Sequence, residues 1–135
     1  MADEVLFVAP NGKETRGANF EELRRLLLEK GPEYWEGGSG DAGLQFYSDG
    51  QELAEMILMV REPYGVFVQH LWVKDLKEYV VQRQNGTEED VTIVHCGDPW
   101  TLPRKFFVSR DDALKALETF FGDGARDERV KWSEF

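Results

Sequence analysis

The sequence predicts an α+β domain, a mainly antiparallel sheet of about six or seven strands with two helices packed on it. Short runs rich in β-branched and aromatic residues follow one another at intervals marked by turn residues. Two other segments repeat their apolar residues at helical spacing between recognisable caps. The length of 135 residues suits one domain spanning 1–135, able to bury about 68% of the surface its unfolded chain would expose.

Val5 to Val8 reads as the first strand, stopped by the turn-forming Pro10, Asn11 and Gly12. Asn19 then offers a helix N-cap, and Glu22 stands three residues on, as in a capping box. Leu23, Leu26 and Leu27 mark one face of a helix from about Phe20 to Lys30, which Gly31-Pro32 ends. The stretch Glu36-Gly37-Gly38-Ser39-Gly40-Asp41 is glycine-rich but lacks the Lys-Ser/Thr pair of a phosphate-binding loop, so it reads as a flexible, acidic linker.

Leu44 to Ser48, Leu53 to Val60, Gly65 to Val73 and Glu78 to Gln84 follow as successive antiparallel strands. Asp49-Gly50, Pro63 and Asp75 separate them, and Asn85-Gly86 marks a hairpin turn. Val91 to Val94 is a further strand. Cys96-Gly97-Asp98-Pro99-Trp100 reads as irregular, and Phe106 to Val108 as extended again. Ser109 caps a second helix with Asp112 at the capping-box position; Leu114, Leu117, Phe120 and Phe121 form its apolar face and Gly122 its C-cap. In the closing VKWSEF, alternation puts Val130 and Trp132 on one face, so the chain is expected to end in a strand with Trp132 against that helix.

Twenty-six acidic against sixteen basic residues give a net charge of −10. Such a surface repels nucleic-acid phosphates and anionic membranes and favours a basic protein partner. No stretch approaches the length of a membrane span, and Met1 to Pro10 lacks the basic start of a secretory signal. With one cysteine, Cys96, and no possible internal disulfide, the expected compartment is the cytoplasm.

The only histidines, His70 and His95, stand in no metal-ligand spacing, so neither a metal nor a cofactor is expected. Cys96 follows His95 directly, but neighbouring strand residues point to opposite faces; Cys96 reads as a buried or half-buried structural residue rather than a nucleophile. Trp100, after Gly-Asp-Pro, either folds back over the sheet or projects as an interface anchor. The run Glu88-Glu89-Asp90 is either a solvated loop or a docking point for an electropositive partner.

From Cys96-Gly97 to its end, the chain resembles the bacterial immunity-protein family paired with polymorphic deaminase toxins. The matching residues are Gly97, Pro103, Val108-Ser109, Ala113 and Ala116, Phe120 or Phe121, Gly124-Ala125-Arg126 and Val130-Lys131-Trp132, with Ser133-Glu134 following. Asp127 stands where many relatives carry Pro, which predicts a different turn before the last strand. The resemblance implies an antitoxin without enzyme activity, held in a one-to-one complex with a basic toxin domain, any zinc belonging to the toxin. The toxin-binding residues expected from loop position and charge are Glu36, Asp41, Glu88, Glu89, Asp90, Asp98 and Trp100. The alternatives are a small enzyme or ligand-binding module using His70, His95 or a carboxylate in a sheet-face pocket, and a scaffold domain pairing through its strand edges.

Overall fold

The computed structural model describes residues 3–84 and 89–135, so the turn expected at Asn85-Gly86 lies outside the described residues. The chain forms β1 (Asp3–Val8), β2 (Glu14–Thr15), α1 (Phe20–Glu29), α2 (Pro32–Trp35), β3 (Ala42–Ser48), β4 (Gln51–Arg61), β5 (Gly65–Trp72), β6 (Glu78–Gln82), β7 (Asp90–His95), β8 (Asp98–Pro103), α3 (Arg110–Asp123) and β9 (Lys131–Glu134). Seven strands build one antiparallel sheet in the order β2-β1-β3-β4-β5-β6-β9, while β7 and β8 pair with each other as a separate hairpin.

The central strands are covered on both faces, which is why they read as nearly unbroken apolar runs. Met56, Leu58, Val60, Val66, Val68 and Val81 pack with Leu23 and Leu27 of α1, Trp35 of α2, and Leu117 and Phe120 of α3. On the opposite face Met59, Phe67 and Val80 pack under Val91, Ile93 and Leu102 of the hairpin, together with Phe106 and Phe107. The fold therefore has three layers: helices, sheet, hairpin. The sequence anticipated the first two; the third was hidden because the hairpin's inner face carries only a few apolar side chains.

The capping box of α1 forms as expected: the Glu22 N–H donates to Asn19 Oδ1 at 2.9 Å and the Asn19 N–H to Glu22 Oε1 at 3.2 Å. Pro32 ends α1 but also opens the single turn of α2, where a missing N–H costs nothing. Ser109 caps α3, accepting the Asp112 N–H at 3.1 Å. The helix closes at Gly124 and not at Gly122. Gly124 has φ 79°, and a Cβ there would stand 2.8 Å from the ring of Phe46, so this is the position where only glycine fits.

Two further expectations are corrected, the second in part. Cys96–Trp100 is regular: Cys96 and Gly97 take φ 53° and 83°, making a two-residue hairpin turn that pairs His95 with Asp98 and starts β8. Cysteine is an unusual residue for such a turn, so the signal was not visible. The expected extended segment Phe106–Val108 holds in part: Phe106 ends a 3-10 turn over Arg104–Phe106, while Phe107 is extended and Val108 bridges to the sheet at Val66.

The closing strand is as expected. β9 pairs with β6 at the sheet's edge; Val130 is buried and Trp132 half-buried, its ring 6.1 Å from that of His70. Asp127 supplies the turn before it. Its carboxylate, 3% exposed, accepts the Thr119 hydroxyl at 2.6 Å and the Arg129 N–H at 2.6 Å, and its carbonyl accepts Trp132 Nε1–H at 2.8 Å. A residue that cannot hydrogen-bond through its side chain would leave that turn without the Thr119 and Arg129 ties.

Candidate functional site

The α2–β3 loop and the tip of the β7–β8 hairpin, far apart in sequence, meet beside the end of β4. Asp41 Oδ2 accepts His95 Nε2–H at 2.9 Å, Cys96 donates its thiol proton to the Ser39 carbonyl at 3.3 Å, and Arg61 Nη2 lies 3.5 Å from the Val94 carbonyl. Around this junction Glu36, Cys96 and Asp98 are exposed and Asp41 is one-third exposed. Val94 stands outward, 66% exposed, paired across the hairpin with exposed Pro99. The result is an outward face that carries Val94 and Pro99 near the carboxylates of Glu36, Asp41 and Asp98.

Of the seven expected site residues, the fold brings Glu36, Asp41, Asp98 and Trp100 to this junction. Trp100 is half-buried: its ring lies 6.0 Å from Phe67 and 5.4 Å from His95, folded back toward the sheet and supporting the tip from within. Glu89 and Asp90 are exposed at the other end of the hairpin, about 17 Å away at the rise of an extended strand. They adjoin basic residues there, since the Arg104 N–H donates to the Glu89 carbonyl and Arg83 to the Lys105 carbonyl. Glu88 lies outside the described residues.

His95 and Cys96 do approach each other, at 3.9 Å, because the turn residue leaves the strand's alternation. Cys96 is exposed, and not buried or half-buried as its type suggested. The geometry still fits no nucleophile triad. A carboxylate only accepts, so the proton on Nε2 belongs to the Asp41 bond, and the same nitrogen faces the thiol; a base needs a free nitrogen toward its nucleophile and the other toward its orienting acid.

His70 is fully buried among Trp72, Phe120 and Trp132, and donates Nε2–H to the Gly124 carbonyl at 2.7 Å. Burial holds its pKa below the ordinary 6.5, against the opposing pull of the Gly124 bond. It is a neutral tie between sheet and α3. A groove of about 520 Å³ beside Tyr64, Arg83, Arg104 and Ser109 is lined by neither histidine. Among the described residues no three His, Cys, Asp or Glu side chains gather as metal ligands, and no helix is long and apolar enough to cross a membrane.

Arg61, Ser39 and Val94 belong to the junction but were not singled out from sequence, and Cys96, singled out there, was read as a structural residue and not as part of a binding face. One signal existed for Arg61: a charged residue directly continuing the apolar run Met56 to Val60. Burial pushes its guanidinium below the ordinary range, while Glu36 and Asp41 push back.

A family model described as immunity protein Imm1 matches residues 18–134 of the chain. No curated protein matches it significantly.

Proposed function

The chain belongs to the Imm1 immunity-protein family, and from that premise we propose that it neutralises a cognate toxin, a basic nucleic-acid deaminase domain, by covering its active-site surface in a one-to-one complex. The observation that carries the choice of surface is the convergence of Glu36, Asp41 and Asp98, from two separate segments, around the exposed Val94. A deaminase that attracts polynucleotide phosphates presents positive charge, which these carboxylates would engage in place of phosphate. The net charge of −10 adds long-range steering toward such a partner.

Inhibition of this kind asks for occlusion and no chemistry by the antitoxin itself. Any zinc sits on the toxin's own ligands. The protein acts in the cytoplasm of the producing cell, where the toxin's substrate is.

The test is kinetic, against the toxin domain encoded beside the gene. Reversing Glu36, Asp41 and Asp98 to Lys lowers the association rate at low salt by about 10- to 100-fold, an effect that shrinks as salt rises. Reversing Asp49, Glu78 and Glu134, exposed at the opposite end of the sheet, makes the same change in net charge and has a much smaller effect. Equal losses in the two triple variants would reduce the role of the face to net charge alone; no loss in the first would remove it.

A further inference from the structure

Arg61 is a buried charge that the core does not need. It is 4% exposed at the end of β4, and among the described residues no carboxylate lies within ion-pair distance of it. Its Nη1 donates to its own strand's Val60 carbonyl at 3.1 Å, its Nη2 reaches the Val94 carbonyl at 3.5 Å, and its Nε is buried without a hydrogen-bond partner among the described residues. Desolvating a guanidinium for two carbonyl contacts is unfavourable compared with an apolar side chain of the same size. Its presence calls for a gain outside stability.

The surroundings locate that gain. The guanidinium lies under the glycine loop: a Cβ on Gly40 would be 2.8 Å from Nη2, and Gly40 itself takes φ 80°. Gly40 thus allows the loop to settle on the charge. Glu36 and Asp41 act on it from the loop side, while Val94, His95 and Cys96 surround it from the hairpin side. Val94's carbonyl is held inward by this contact while its side chain stands on the outer face.

We propose that Arg61 is a positioning residue: it fastens the acidic α2–β3 loop to the hairpin tip, so that the toxin meets a face already assembled. The inference rests on the partner-binding face proposed above. A preassembled face avoids the ordering cost of binding, and the benefit falls mainly on the dissociation rate.

Arg61→Met removes the charge and keeps the bulk; Arg61→Lys keeps the charge and loses the planar fork. Amide hydrogen exchange by NMR in the free protein reads the positioning directly. In Arg61→Met, exchange at Ser39, Gly40 and residues 93–98 is expected to quicken by about tenfold or more, with the β4–β5 amides unchanged, and Arg61→Lys is expected to fall between it and wild type. Uniform acceleration over the whole sheet would make Arg61 merely structural, and unchanged exchange at the loop and tip would overturn the proposal. If Arg61→Met does not fold, the same comparison in Arg61→Lys decides. Against the toxin, Arg61→Met should raise the dissociation rate about tenfold while the salt dependence of association persists. The triple charge reversal tests the face separately, so a face that fails there and an Arg61 that fails in exchange are distinct results.

Discussion

Replacing Asp127 by Asn tests the device that closes the fold. The carboxylate is almost fully buried and takes hydrogen bonds from Thr119, from the Arg129 backbone and from the Arg129 guanidinium at 2.5 to 3.0 Å. The Arg129 bonds hold its pKa down at about 2, from the ordinary 3.8, with Thr119 adding to them and burial opposing. At 1.36 kcal/mol for each tenfold change in proton affinity, the difference of 3.8 − 2 amounts to about 2.4 kcal/mol. Arg129 is 53% exposed, so solvent screening reduces this to about 1 to 2 kcal/mol.

The sign follows from the depressed value. The stabilisation is present in full above 3.8, where the unfolded carboxyl is also ionised, and is lost as pH falls through the native value near 2. Urea unfolding of wild type and Asp127→Asn should therefore differ by about 1 to 2 kcal/mol at pH 7, with the gap roughly halved by pH 3. Equal stabilities at pH 7, or a gap that stays constant down to pH 3, would refute the assignment of Asp127 as an ionised keystone of the last turn.

His70 gives a second pH dependence of the same sense. Because burial lowers its pKa, the unfolded imidazole takes up a proton before the folded one, so stability is full above 6.5 and falls as pH drops below it. An NMR titration placing the His70 midpoint at or above 6.5 would contradict this. Gly65→Ala should be far more damaging: at φ 118° a Cβ would stand 2.4 Å from the Val108 carbonyl, which accepts the Val66 N–H at 2.9 Å. We expect a loss of about 3 kcal/mol or more by thermal unfolding, against about 1 kcal/mol for Gly97→Ala, where the left-handed turn is the only obstacle; similar losses in the two would show that the contact with Val108 gives way.

Local chemistry made much of the fold legible. Asn19 and Glu22 named the start of α1, Ser109 the start of α3, and the alternation of Val130 and Trp132 the closing strand, because each signal is satisfied within a few residues of itself. The end of α3 was misplaced by two residues, since the choice between Gly122 and Gly124 depends on Phe46, a ring from another strand. The hairpin turn at Cys96-Gly97 was missed because its left-handed geometry is sustained by pairing of the flanking strands and not by turn-favouring residues alone.

The candidate face divides in the same way. Composition by itself determined the net negative charge, which acts over distance without regard to position and underlies the basic partner proposed above. Only the tertiary structure decided that Glu36 and Asp41 stand with Asp98 while Glu89 and Asp90 lie at the far end of the hairpin, and that Arg61 sits beneath the junction. Contacts such as Asp41 with His95, or Arg61 with Val94, join residues 54 and 33 positions apart, and the sheet that brings them together is fixed by burial on both its faces.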